Sequence, residues 1–216
     1  MVQSGRSYLP ASGHDWSLPL YDPFVKLLGA DAARATLLEH AALRPGHRIL
    51  DIGCGTGTLG VLIKRRYPEV EVVGLDPDPR ALARAKRKAQ KAGLSIQLDQ
   101  GFADELPYTD GSFDRVFSSF MLHHLEPANK EATLREVRRV LKPGARFHLL
   151  DFATPDSKSA GPIARRLHSG HLLKDNSDER ILSLMRQTGL SEPQRLAERT
   201  LLVGHIAYYQ SLALSS

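Results

Sequence analysis

The stretch Ile49-Leu-Asp-Ile-Gly-Cys-Gly-Thr-Gly57 decides the fold. It opens as a short apolar run interrupted only by Asp51, as in a buried strand. Gly53, Gly55 and Gly57 then alternate through a turn into a helical stretch carrying Leu59, Val61, Leu62 and Ile63. Glycines at a strand-to-helix junction let the backbone approach a ligand closely and leave N-terminal N–H groups free to face it. Two cofactor classes compete for this geometry. A dinucleotide site needs G-x-G-x-x-G, and Gly55-Thr-Gly-Thr-Leu-Gly60 is a literal match, though a lone match carries little weight. Asp51 argues the other way, because a carboxylate just before the glycines repels a pyrophosphate and suits a ligand that presents an ammonium there. A tight turn with no ligand accounts for neither the alternating glycines nor the acid.

Outward from this turn, β-rich runs alternate with helical stretches, the pattern of a parallel sheet with crossover helices. Strands are expected at Arg48–Gly53, Glu71–Asp76, Ser95–Gln100, Asp114–Phe120 and Arg146–Phe152. Helices are expected from Leu59 to before Pro68 and from about Pro79 to Ala92, closed by Gly93. A third covers Lys130–Leu141, where Leu134, Val137, Val140 and Leu141 recur at helical spacing. Thr154–Asn176 is rich in Pro, Gly, Ser, His and basic residues and reads as a long, lid-like loop with one short helix around Ile163–Leu167. Ser177 then N-caps a helix through Ile181 and Met185. Gln194–Leu202 and His205–Leu214 flank Val203-Gly204 as a hairpin pairing antiparallel at one end of the sheet. Before the first strand, a helix over about Asp31–Ala42 reads as a cap over a sheet edge. With no repeat or linker, the expectation is one domain over 1–216: an extension at 1–44, a cofactor-binding core at 45–152, the loop at 153–177, and a C-terminal helix and hairpin at 178–216.

Of the 216 residues, 42% are hydrophobic and 25% charged, which argues against disordered and fibrous classes. No apolar run approaches the ~20 residues that cross a bilayer. His14, Asp15, Asp22 and Lys26 stand where a signal peptide would have its apolar core, so a cytoplasmic protein is expected. A single cysteine, Cys54, excludes an intramolecular disulfide and a Cys-only zinc site, and no metal is expected. The net charge of +5 raises the question of nucleic acid. However, the densest basic run, Arg84, Lys86, Arg87, Lys88 and Lys91, falls on a helix whose apolar stripe is Leu82, Ala85 and Ala89, and it reads as a solvated face.

The second strand ends in Gly74-Leu-Asp76, where an acid can accept hydrogen bonds from ribose hydroxyls; with Pro77 and Pro79 following, Asp76 also fits a helix N-cap. Together these residues resemble the class I S-adenosylmethionine-dependent methyltransferases, and most of all the small-molecule branch that includes the C-methyltransferases of quinone biosynthesis. The resemblance covers about Pro45–Phe152. It continues from the cofactor turn through GFADELPY (Gly101–Tyr108), FDRVFSSFMLHHL (Phe113–Leu125) and LREVRRVLKPG (Leu134–Gly144). It implies an α/β, Rossmann-like sheet of seven strands, mostly parallel with an antiparallel C-terminal hairpin and helices on both faces. It also implies S-adenosyl-L-methionine as cofactor, with S-adenosyl-L-homocysteine as product. In the resemblance Asp51, Gly53, Cys54, Gly55, Thr56 and Gly57 hold the methionine moiety and Asp76 and Pro77 the ribose. Phe102, Ala103 and Asp104 face the adenine, and Ser118 and Ser119 complete the site. The chain departs from the family at Phe102, where an acid usually meets the adenine amino group; either Asp104 supplies that contact or Phe102 packs on the adenine face.

Methyl transfer from a sulfonium is an in-line displacement, so the protein aligns the reactants, excludes water and, for a hydroxyl, amine or acidic carbon, removes a proton. His123, just beyond the fourth strand, is the best-placed base, and Tyr21 and Asp151 are further candidates. The loop bearing Arg165, Arg166, His168, His171 and Lys174 reads either as a lid that recognises an anionic substrate or as a solvated basic loop, and the expected acceptor is an anionic or phenolic small molecule. A nucleic-acid acceptor is disfavoured because Ser118-Ser-Phe-Met121 replaces the Asn-Pro-Pro-Tyr type of motif. The competing readings are a nicotinamide-dependent oxidoreductase, which would need a Tyr-x-x-x-Lys pair absent here, and a noncatalytic S-adenosylmethionine-binding protein. The acceptor, the atom methylated and the oligomeric state are not legible.

Overall fold

The computed structural model describes residues 29–153, 177–201 and 204–214. Tyr21, the loop at 154–176 with its expected short helix, and most of the N-terminal extension lie outside them. Seven strands form one sheet: β1 (Arg48–Ile52), β2 (Glu71–Asp76), β3 (Gln97–Gln100), β4 (Phe113–Ser119), β5 (Leu141–Phe152), β6 (Ser191–Leu201) and β7 (Gly204–Leu212). Five helices accompany them: α1 (Ala30–Glu39), α2 (Thr58–Arg66), α3 (Pro79–Lys91), α4 (Pro127–Val140) and α5 (Asp178–Gln187). The strand order is β3-β2-β1-β4-β5-β7-β6. Pairings from β3 through β5 are parallel, and β7 lies antiparallel to both β5 and β6. The architecture is therefore the expected one, down to the terminal hairpin.

Period-two alternation divides each central strand between two cores. On one face Leu50, Ile52, Val116, Phe147 and Leu149 pack against Leu134 and Val137 of α4 and Ile181 and Met185 of α5. On the other, Ile49, Val72, Phe117 and Leu150 meet Leu37 and Leu38 of α1 and Leu59 and Ile63 of α2. Here α1 departs from expectation. The sheet edges are β3 and β6, whereas Ala33, Leu37, Leu38 and Ala41 are fully buried against the central strands. It covers a face because its apolar residues form a stripe wide enough to seal one. Boundaries also move: β5 begins at Leu141, which pairs with Phe113 ahead of Gly144 (φ 75°), β6 begins at Ser191 and not Gln194, and α4 begins at Pro127, the favoured first helical position for proline.

Candidate active site

In the strand order the chain turns back on itself between β1 and β4, and ligands of open α/β sheets bind at the carboxyl edge of such a switch point. At the end of β1, Gly53 and Gly55 have positive φ, and Gly57 (φ 75°) is the N-cap of α2. Gly53 is required twice over. Its φ of 65° disfavours any L side chain, and a Cβ there would lie 2.3 Å from Met121 Cγ, which closes over the turn from the end of β4. A Cβ at Gly55 would meet nothing within 4 Å, so this part of the turn faces open space.

Asp51 is 1% exposed, and its Oδ1 is buried with no hydrogen-bond donor among the described residues. Burial pushes its carboxyl up to about 7, opposed by the positive charge of Arg34. At the end of β2, Asp76 is held from both sides: Oδ2 accepts from Gly55 N at 2.8 Å and Oδ1 from Asp78 N at 2.9 Å. It thus ties the glycine turn to β2 while each oxygen keeps acceptor capacity. The cap of α3 is not Asp76 but Asp78, whose side chain accepts from Arg80 N at 2.8 Å, because the helix begins only at Pro79. Lys88 also leaves the solvated face expected for the basic run: its ammonium donates to Thr56 Oγ1 at 3.0 Å and Thr58 Oγ1 at 2.7 Å, bracing the start of α2. Cys54 Sγ sits where a Cβ on Gly74 would lie within 2.9 Å, and burial raises its thiol well above the ordinary value, which fits packing and not nucleophilic chemistry.

Across the switch point, β4 ends in Ser118 and Ser119. Ser118 is wholly buried, whereas Ser119 Oγ accepts from Arg34 Nε at 3.4 Å. Phe120 follows with φ 57°, a left-handed conformation that costs a bulky residue energy and recurs at functional sites. This bend starts the 3-10 turn Leu122–His124. It brings together two residues singled out from the sequence. His123 Nδ1 lies 2.5 Å from Asp151 Oδ1, and His123 N donates to Asp151 Oδ2 at 2.9 Å. Asp151, fully buried at the end of β5, also accepts from Phe152 N at 2.8 Å. A carboxylate acceptor keeps the proton on Nδ1 and leaves Nε2 as the basic nitrogen. The His123 ring stands edge-on to Phe152, with centroids 5.0 Å apart, and Phe152 packs against Phe120 at 5.4 Å. His124 lies 3.9 Å away, and burial and the neighbouring ring lower its pKa to about 4, so it is uncharged at neutral pH.

Sequence reasoning missed Arg34. Its side chain is 9% exposed and, among the described residues, makes long contacts: 3.5 Å to Asp31 Oδ1, 3.4 Å to Ser119 Oγ and 5.5 Å to the Phe120 ring. A lone arginine among Ala33, Leu37 and Leu38 was the available signal, since a helix face that buries its neighbours buries it too.

A family model described as a methyltransferase domain matches residues 49–144. A demethylmenaquinone methyltransferase of Deinococcus radiodurans is 35% identical over 204 residues, covering 90% of this chain and 83% of that protein. The chain belongs to the S-adenosylmethionine-dependent methyltransferases. A second relative, a demethylmenaquinone methyltransferase of Thermus thermophilus, is 39% identical to the methyltransferase over 150 residues, 68% of this chain and 67% of that protein. Among solved structures, a Haemonchus contortus phosphoethanolamine N-methyltransferase with bound S-adenosyl-L-methionine has a TM-score of 0.78 at 16% identity, covering 98% of this chain and 61% of that one. The YcgJ protein of Bacillus subtilis has a TM-score of 0.69 at 20% identity, covering 86% and 99%. These structural likenesses speak to the fold. The methyltransferase uses S-adenosylmethionine, and its residues fit that group: the orphaned Asp51 oxygen suits an ammonium, and the open side of Gly55 leaves room beside it. Neither the nicotinamide reading nor the noncatalytic reading gains support. Among the described residues no helix is long and apolar enough to cross a membrane.

Proposed function

We propose that the methyltransferase acts on an aromatic small molecule carrying an ionisable hydroxyl, of the hydroquinone type, with His123 as the general base. The observation that carries this reading is the His123–Asp151 pair at the carboxyl edge, bordered by Phe120 and Phe152. An acceptor ring stacks on apolar aromatic surface, and a hydroxyl within reach of Nε2 loses its proton there. The phenolate so formed pushes electron density to an adjacent ring carbon, which becomes the nucleophile; the carbon's own proton leaves afterwards to restore aromaticity. The buried Asp151 carboxylate stabilises the imidazolium and holds the ring in place. When bound, the cofactor supplies an activated methyl group and a neutral thioether leaving group.

Asp51 is the proposed partner of the cofactor's ammonium, with the Gly53–Gly57 turn around its amino-acid moiety, Asp76 and Pro77 at the ribose and the Phe102–Asp104 segment at the adenine. The names of the Deinococcus and Thermus relatives support the quinone-like class of acceptor. A cytoplasmic location belongs to the same reading, supported by the single cysteine. The test is methyl transfer from labelled S-adenosylmethionine to a chemically reduced, short-chain demethylnaphthoquinone. Label on the ring carbon supports the proposal. Transfer that proceeds equally well with the His123→Ala variant, or transfer only to amines, overturns it.

A further inference from the structure

The segment from Gly101 to Ser112 joins β3 to β4 without helix or strand, so its backbone groups must find partners elsewhere. They find them on the last turns of α4. Glu136 Oε2 accepts from Leu106 N at 2.8 Å, and Arg139 donates to Leu106 O at 3.0 Å and Tyr108 O at 2.7 Å. Arg139 also donates to Asp110 Oδ1 at 2.8 Å, and its guanidinium is locked to both Glu136 oxygens at 2.7 Å. The backbone of the same turn completes the attachment, since Arg139 O accepts from Gly111 N at 3.0 Å and Val140 O from Ser112 N at 2.8 Å. At its other end the segment is pinned to β2, where Gly101 N donates to Asp76 O at 3.2 Å. Phe102, Ala103 and Asp104 therefore lie between the attachment at the strand-end acid and the one at the Glu136–Arg139 fork, with Phe102 O accepting from Glu105 N at 3.2 Å.

We infer that Glu136 and Arg139 are positioning residues for cofactor selectivity: acting through Leu106 and Tyr108, they set where the Phe102–Asp104 segment meets the purine. This rests on the reading that this segment faces the adenine. The fork geometry is the reason Arg is needed: a planar guanidinium spans two carbonyls and two carboxylates at once, whereas a lysine ammonium cannot hold them all. The paired Glu136 supplies the matching acceptor for the Leu106 N–H, so the two residues satisfy one backbone donor and two backbone acceptors of the loop. Neither residue touches the acceptor site around His123, so the effect falls on cofactor recognition.

The test compares S-adenosylhomocysteine with S-inosylhomocysteine, in which the purine amino group is replaced by a carbonyl. Affinities are measured by calorimetry for the unmodified protein, Arg139→Lys and Glu136→Gln. Glu136→Gln keeps size and an acceptor oxygen and is the variant that decides if Arg139→Lys melts too low to use. The unmodified protein is expected to prefer the adenosyl compound, and both variants to lose that preference by about tenfold or more, with the adenosyl affinity falling and the inosyl affinity changing little. Amide exchange across 101–112 is expected to quicken at Leu106 in both variants without any ligand present. An unchanged preference in folded variants overturns the positioning role alone. Equal binding of the two compounds by the unmodified protein overturns the assignment of the segment to the purine, and the positioning role with it. Fast exchange of the Leu106 amide in the unmodified protein overturns the clamp itself.

Discussion

If Asp51 meets the cofactor's ammonium, binding must release a proton. The carboxyl stands at about 7 in the ligand-free protein, against an ordinary 3.8, because it is buried with one oxygen unpartnered. The sign follows: the folded, ligand-free protein holds the proton more tightly than the unfolded chain. Asp51 therefore favours folding at pH below the ordinary carboxylate value and opposes it increasingly as pH rises through 7, by roughly 4 kcal/mol once fully ionised. An ammonium arriving beside Oδ1 returns the carboxyl to its ordinary range. At pH 6 the group is roughly 90% protonated before binding and almost wholly ionised after, so about 0.9 proton leaves; at pH 8 the figure drops to about 0.1. The same linkage makes S-adenosylhomocysteine bind roughly 70-fold more tightly at pH 7.5 than at pH 5. Calorimetry at pH 6 in buffers of different ionisation enthalpy reads the proton count directly, and Asp51→Asn serves as the reference that keeps every other titrating group. A release below about 0.2 proton at pH 6, or one equal to that of Asp51→Asn, refutes the ammonium assignment.

The remaining predictions concern groups whose neighbours are equally explicit. Asp151→Asn removes the carboxylate charge beside His123 Nδ1, so turnover should fall by about 10²- to 10⁴-fold with S-adenosylhomocysteine affinity unchanged; retained turnover would remove the dyad from the mechanism. His148 is fully buried with neither ring nitrogen hydrogen-bonded among the described residues, and burial beside Arg115 and Arg146 lowers its pKa to about 3. Its contribution to stability is therefore complete above its ordinary 6.5 and is lost as pH falls toward 3, amounting to about 3 kcal/mol by pH 4; denaturant melts should show a flatter acid limb for His148→Leu. Gly57→Ala adds a Cβ 2.8 Å from Ala85 Cβ at a φ of 75°, and should lower the melting temperature, with the double variant Gly57→Ala/Ala85→Gly recovering only the steric part. Arg34→Met removes the positive charge that opposes the rise of the Asp51 carboxyl, so the pH at which proton release reaches half should move upward; a downward move would contradict the assigned cause.

What was legible in the chain is what is encoded by neighbours in sequence. Asp51 and the three glycines are one strand and one turn, and Gly53 and Gly57 are glycines because Met121 and Ala85 leave no room for a Cβ. The alternation of β-rich runs with helices was enough for a parallel sheet with crossover helices, and the terminal hairpin for its antiparallel end, whereas the order of the strands appears only in the structure. The errors occurred where local signals were degenerate. Asp76 and Asp78 both precede a proline, and only the helix start at Pro79 makes Asp78 the cap. Lys88 looks like its basic neighbours in sequence, but its position on α3 puts it opposite Thr56 and Thr58. The apolar stripe of α1 announced burial without saying against what, so a face was read as an edge.

The acceptor half of the site follows a different rule. His123 and Asp151 were each visible as polar residues at strand ends, yet their pairing depends on β4 and β5 being neighbours in register, with Ser119 opposite Leu150. Arg34 reaches Ser119 from α1, and Glu136 reaches Leu106 from α4. Each of these contacts joins residues far apart in the chain, and each sets a charged group against a partner that arrives only by tertiary folding. The proposed cofactor contacts fall in contiguous segments, so they survive in the sequence as motifs. The proposed proton removal depends on a pair, His123 and Asp151, that no single motif contains, and loop positioning on contacts between two separate motifs, from Glu136 and Arg139 to Leu106 and Tyr108. That asymmetry predicts where variants will separate binding from chemistry: changes in the glycine turn should act on cofactor affinity and stability together, whereas changes at His123 or Asp151 should act on turnover with the cofactor still bound.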